Sequence, residues 1–442
     1  MPYDFSTWDR NCLEEQVIPI DGTVKGTVPP WLRGSYLLDG PGRMTYGENE
    51  FNHVFDGSAL LQKFTFGETG VSFASRFLRS YAYTTNLEHK QIVVSEFGTT
   101  GKSIAKSALS KLGDKFAFDK MFSDNAPVGV VIFGGEYYCT TEAPFLHKIN
   151  PNTLETISKV DLHKELGINS QCPNPRTLAD GTTLNILHGV GATGPKYDIM
   201  TFPATPLEGK SSVFAKPKKI GSVDARWKLN PCHMHSFGLT ENYLVLLEQP
   251  LTIDVRAMVA NTIREKPFIG GMEWLENKLV KIHLVSRETG KEVKLKIKCE
   301  SFFFMHIINS YEKDNHVIID VNAYKKPDLL HAFHLKNLRV GYSEHAHVYV
   351  CVCVCVCVAC ALACACERVY GPVLELVLYH RILPLTFMRK SSVFIRLVNF
   401  VLSQTLTCSG LSPSCFICRV SHSLFKTKTR LLDYGDTSHT LC

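Results

Sequence analysis

Residues 279–298, LVKIHLVSRETGKEVKLKIK, carry the clearest structural signal in the chain. Apolar and polar residues alternate on both sides of Arg287-Glu288-Thr289-Gly290-Lys291, so the run reads as two short strands about a polar, glycine-containing turn. The same kind of run recurs outward from this hairpin: SYLLDG at 35–40, QIVVSEF at 91–97, VGVVIFGG at 128–135, YLVLLEQ at 243–249 and HVIIDV at 316–321. Each is a short aliphatic or β-branched stretch near Gly, Pro, Asn or Asp. Many short strands joined by hairpins predict an all-β sandwich, barrel or propeller over residues 1–339. Two stretches depart from the pattern. Residues 102–122 space Ile, Leu and Phe among Lys, and residues 253–275 mix Ile, Val, Met and Trp with scattered charge. Both read either as surface helices packed on the core or as amphipathic patches that contact a membrane interface.

Composition sets bounds on function. The 442 residues are 45% hydrophobic, as in an ordinary globular protein. The first 339 carry 39 Lys and Arg against 37 Asp and Glu, a balance too even for a phosphate-binding surface, so nucleic acid is not expected as a partner. Five cysteines are scattered through this body without paired spacing, which points to a reduced, cytoplasmic protein rather than a disulfide scaffold. The first fifteen residues, MPYDFSTWDRNCLEE, have no apolar core of a secretory signal.

The character of the chain changes after Arg339. From His345 it runs HAHVYVCVCVCVCVACALACAC, and eleven of the 16 cysteines lie beyond residue 350. No packing rule calls for a Val-Cys alternation, whereas a GT dinucleotide repeat read in frame encodes it. Valine codons begin with GT, so an unspliced donor after Arg339 would start the transition at Val340. Residues 340–442 are therefore expected to be an intron-derived tail with no domain of their own. Two competing readings are a membrane span, since 348–366 carries no charge, and a strand of period two.

Chemistry turns on histidine, because iron that activates oxygen is held by neutral imidazoles and carboxylates with positions left open. The body holds twelve histidines, and a histidine without context is more often structural than a ligand. Two stand in specific strings, PCHMHSFGLTENYLVLLEQP at 231–250 and FFFMHIINSYE at 302–312. These resemble segments of the carotenoid cleavage oxygenases, the family of the β-carotene oxygenases and the retinal pigment epithelium retinoid isomerase. The resemblance implies that His235 and His306 bind iron, while His233 matches no ligand position. TEAPFLHKINPNTLET at 141–156 resembles the segment whose Glu supports a ligand imidazole, here Glu142. LRGSYLLDGPGRMTYG at 32–47 and HVFDGSALLQKFTF at 53–66 extend the likeness through most of residues 1–339.

What the resemblance implies is a seven-bladed β-propeller with Fe(II) on its axis, held by four histidines from different blades. The implied activity is oxidative cleavage of a carotenoid or retinoid double bond with O₂, giving retinal-type aldehydes. The chain departs from the pattern in two places. SQCPNPRTLADGT at 170–182 puts Asn174-Pro175-Arg176 where the family has His-Pro-His, so Asn174 stands at a third ligand position. His188, on the next expected strand, is a candidate to compensate. The family's C-terminal Phe-His-Gly segment, with the fourth ligand, has no counterpart here. An incomplete propeller with impaired iron binding is the expectation. A non-catalytic carotenoid or retinoid binder is the alternative, and no other catalytic residue is assigned.

Overall fold

The hairpin expected at 279–298 forms the centre of a sheet. Val280–Ser286 pairs antiparallel with Tyr243–Glu248 on one side and Ile297–Cys299 on the other, and Gly238–Leu239 completes the order. The computed structural model describes residues 10–68, 70–102, 122–264, 266–294, 297–339 and 348–357. All of these lie in the compact unit Met1–Thr405.

Among the described residues, five such sheets follow one another along the chain. The first orders Ile20–Gly22, Val71–Phe77, Ser58–Phe66 and Gly34–Arg43; the second orders Thr156–Asp161, Phe145–Ile149, Glu136–Thr140 and Gly129–Phe133. In the third, Ser170–Gln171, Thr183–Gly191, Gly194–Phe202 and Lys218–Asp224 lie in sequence order, with Arg176–Thr177 also paired to Thr183–Gly191. The fourth contains the hairpin above. The fifth orders Phe303–Lys313, His316–Tyr324 and Val348–Cys357. Sequential antiparallel sheets of about four strands are the repeat of a propeller blade.

Burial shows how the sheets are stacked. In Tyr243–Glu248, Leu244 and Leu246 join a cluster with Ile186, Tyr197 and Ile199 of the third sheet. The alternate residues Val245 and Leu247 join Phe304, Val317 and Ile319 of the fifth. Covering both faces in this way is why YLVLLEQ is apolar throughout instead of alternating. Equivalent clusters join the first sheet to the second through Leu37, Leu61, Val130 and Cys139, and the second to the third through Phe133, Leu146, Leu187 and Phe202. Buried amides and acids tie the sheets further. Asn125 accepts from Ala59 N and donates to Gly57 O, Gln171 donates to Ala143 O and Phe145 O, and Glu248 accepts from Tyr197 Oη and Arg226 N.

Three expectations meet the structure at particular residues. QIVVSEF at 91–97 is a loop rather than a strand, because Asn86 Oδ1 takes both Val93 N (2.8 Å) and Val94 N (3.1 Å) and a ladder loses those donors. Of 253–275, only Val255–Ile263 is α-helix; a 3₁₀ turn and the strand Met272–Trp274 follow it. The 102–122 patch falls at 103–121 outside the described residues. The backbone of Val348–Cys357 pairs with His316–Tyr324, as an alternating β-branched segment does at an open sheet edge whatever its origin.

Candidate metal centre

Asn174, His235 and His306 occupy like places in three successive sheets. Asn174 follows the strand Ser170–Gln171 that begins the third, His235 precedes Gly238–Leu239 that begins the fourth, and His306 lies in Phe303–Lys313 that begins the fifth. Each first strand runs along one end of its sheet order, which is how residues far apart in sequence come together.

The segment around His235 is fixed through its backbone. His233 N bonds Leu251 O (2.9 Å), and Gln249 donates to His233 O (3.1 Å). The carbonyl of His235 accepts from Asn174 Nδ2 at 2.8 Å and from the Cys172 thiol at 3.0 Å. These bonds leave the His235 ring, 5% exposed, at a defined angle. Its Nδ1 lies 2.6 Å from Glu142 Oε1. The His306 ring sits with its centroid 4.7 Å from that of His235 and its plane at 90° to it.

The electrostatics follow from burial and neighbours. Burial works to raise the Glu142 carboxyl, but the hydrogen bond from His235 and the electrostatic pull of the neighbouring His235 and His233 rings hold it down at about 2. Burial pushes His306 well below the usual imidazole range, with the nearby His235 and Arg176 acting in the same direction. An ionised Glu142 accepts the Nδ1 proton of His235, so Nε2 carries the lone pair. Neutral imidazoles with free lone pairs and a supporting carboxylate fit a divalent cation such as Fe(II). Arg176 opposes it, because its charge is felt at His306. Asn174 offers a weaker donor than imidazole, and its amide nitrogen is spent on the His235 carbonyl.

His233 has a larger place here than its sequence context gives it. One ring nitrogen each from His233 and His235 and one oxygen of Glu142 lie within 4.8 Å of one another. The His233 ring is nearly parallel to that of His235, at 20° and 6.2 Å, and its Nδ1 is buried without a hydrogen-bond partner. The signal was its spacing, since residues i and i+2 of an extended segment share a face. His188 bonds Ser170 Oγ through Nδ1 at 2.9 Å, and its buried Nε2 has no partner. Burial and the neighbouring His233 push it down to about 4.

The family model described as retinal pigment epithelial membrane protein matches residues 9–350. The carotenoid isomerooxygenase of Galleria mellonella is 35% identical over 333 residues, 75% of this chain and 64% of that protein. The beta,beta-carotene 15,15'-dioxygenase of Homo sapiens is 36% identical over 342 residues, covering 75% of this chain and 62% of that one. The chain thus spans less than two thirds of the length of these relatives. Among solved structures, cobalt-substituted apocarotenoid oxygenase of Synechocystis superposes with a TM-score of 0.64 at 19% identity, covering 81% of this chain and 71% of that one. A chimera of that oxygenase with the retinal pigment epithelial protein gives 0.60 at 18% identity, over 80% and 69%. These structures are seven-bladed β-propellers, and the five stacked sheets described above share that fold. With matching strings at Glu142, His235 and His306 spread across three of its sheets, this chain belongs to the carotenoid cleavage oxygenase family, whose model bears the retinal pigment epithelial membrane protein description.

Proposed function

We propose that the chain derives from a non-haem Fe(II) dioxygenase that cleaves a carotenoid double bond to retinal-type aldehydes, with His235 and His306 as metal ligands and Glu142 as the partner of His235. The observation that carries this reading is the convergence of the two rings at 4.7 Å with Glu142 at 2.6 Å from His235. Bound Fe(II) with O₂ supplies the oxidative chemistry. The chain's residues supply the setting: Glu142 fixes the His235 tautomer and raises its basicity, and burial keeps His306 neutral.

In this reading the chain holds its metal weakly. Support comes from Asn174, bonded to the His235 carbonyl where an imidazole would point at the ion, and from Arg176 acting on His306. The same two residues favour the second reading, a carotenoid or retinoid binder without iron, which would show a visible absorbance band on metal-free protein. Residues 340–442 are read as intron-derived and 1–339 as the oxygenase domain. Peripheral contact of a cytoplasmic protein with a membrane draws support from Val255 and Val259, 40% and 43% exposed beside Arg256. No helix among the described residues is long and apolar enough to cross a bilayer.

Metal content and β-carotene turnover of the purified chain test the proposal. The expected result is sub-stoichiometric iron and no retinal, with iron uptake improved at least tenfold by Asn174→His. One iron per chain with turnover in the unaltered protein overturns the impairment. Failure of both proteins to take up any metal overturns the metal centre.

A further inference from the structure

The two imidazoles sit on different sheets, and what holds them in register is a seam of side-chain hydrogen bonds. Four residues clasp the segment 233–242 to the strand Phe303–Lys313. Gln249 donates to His233 O and Phe304 O and accepts from Phe304 N. Ser236 donates to Met305 O (2.8 Å) and accepts from Ile307 N (2.8 Å). Ser310 accepts from Leu239 N (2.8 Å) and donates to Leu239 O (3.1 Å). Glu312 accepts from Thr240 Oγ1 and Asn242 N.

Ser236 stands apart from the others in where it acts. Its hydroxyl holds the residue before His306 and the residue after it, while its own backbone is joined to His235. The strand carrying His306 is irregular at this point: its pairing with His316–Tyr324 shifts between Phe304 and Ile307 and again between Ile307 and Asn309. A bulge re-aims a side chain, and the backbone groups it releases need other partners. Met305 O and Ile307 N find theirs in one serine hydroxyl. The backbone on both sides of His306 is therefore tied to the His235 segment, with Ile307 also paired to Val321 in the strand's own hairpin.

We infer that Ser236 is a positioning residue for the metal site, fixing the aim of His306 relative to His235. The inference rests on the reading of those two histidines as ligands. Ser310 supplies the control, because it makes the same number of bonds across the same seam without flanking His306. Co(II) is titrated into metal-free full-length protein and followed by its visible absorption, for the unaltered chain and for Ser236→Ala, Ser236→Thr and Ser310→Ala, with thermal unfolding measured alongside.

Ser236→Ala is expected to weaken Co(II) binding about 10- to 100-fold and to alter the band shape, as loss of a partner behind a metal ligand does. Ser236→Thr is expected to restore both. Ser310→Ala is expected to lower the unfolding temperature by a similar amount and leave affinity and band shape unchanged. If Ser236→Ala fails to fold, Ser236→Cys, close in volume and a weak hydrogen-bond donor, is expected to show the same loss. Equal effects of the Ser236 and Ser310 variants on affinity, or none from either, overturn the inference while the metal reading stands. Failure of both the unaltered chain and its Asn174→His variant to take up cobalt overturns both.

Discussion

The 2.6 Å contact between Glu142 and His235 shows how one residue can serve another at a site. A carboxylate held at about 2 stays ionised at every physiological pH and keeps the imidazole turned the same way. Asp39 is a contrasting buried acid. Burial pushes it up to about 8 against the opposing pull of the Cys139 thiol and the Gly40 amide, neither of which makes a well-formed hydrogen bond to its oxygens. Its folded pKa exceeds the ordinary carboxylate value, so the fold binds a proton that the unfolded chain releases. Stability from this group is therefore full below pH ~4 and lost as pH rises toward 8. Replacing Asp39 by Leu is expected to remove that slope and to stabilise the protein at pH 8 by about 1–3 kcal/mol, the cost of an unsatisfied buried polar group. Urea unfolding at pH 5 and pH 8 checks it; equal slopes in the two proteins contradict it. Asp39 is not legible in the sequence as a special residue, since it stands in an ordinary strand and only the neighbours brought in by folding make it unusual. His233 shows only in its spacing from His235. His235, His306 and Glu142 are legible because each sits in a long, specific string.

Among the elements, the first strands of the third and fourth sheets are short and that of the fifth is irregular, and side chains bridge the fourth to the fifth. This explains Gly238, where an added Cβ would lie 2.9 Å from Ser310 Oγ and 3.1 Å from Val245 Cβ. Gly238→Ala is expected to cost about 1–3 kcal/mol by forcing the seam apart. Gly129→Ala, where nothing lies within 4 Å, is expected to have little effect on denaturant midpoints. Similar losses from both would contradict the account of the seam. Strands flanked by two clusters, such as Tyr243–Glu248, are legible as continuous apolar runs, and the 279–298 hairpin as an alternation. The loop at 91–97 is not, since its composition suits a strand and the amide of Asn86 decides against it. The bulge at His306 is equally hidden, because the side chain that bonds the backbone on either side of it, Ser236, lies some seventy residues away in the sequence.

On the scale of the molecule, stacked sheets joined by apolar clusters let residues from distant parts of the sequence meet. Repetition of short strands makes that architecture legible, while the strings at Glu142, His235 and His306 identify the family. The change of composition at Val340 belongs to this scale too. The family match runs to residue 350, and Val348–Cys357 pairs on the edge of the fifth sheet. For the transcript across Arg339 and Val340, the expected finding is read-through of a splice donor into a GT repeat. Continuous coding exons that match codon for codon would remove the intron reading.

The central claim is that His235 and His306 share one ion, and Co(II) titration of His306→Ala beside His235→Ala tests it most directly. Loss of binding to the same degree in both variants is the predicted result. Undiminished affinity in His306→Ala would contradict it, and would seat the ion among Glu142, His233 and His235 instead.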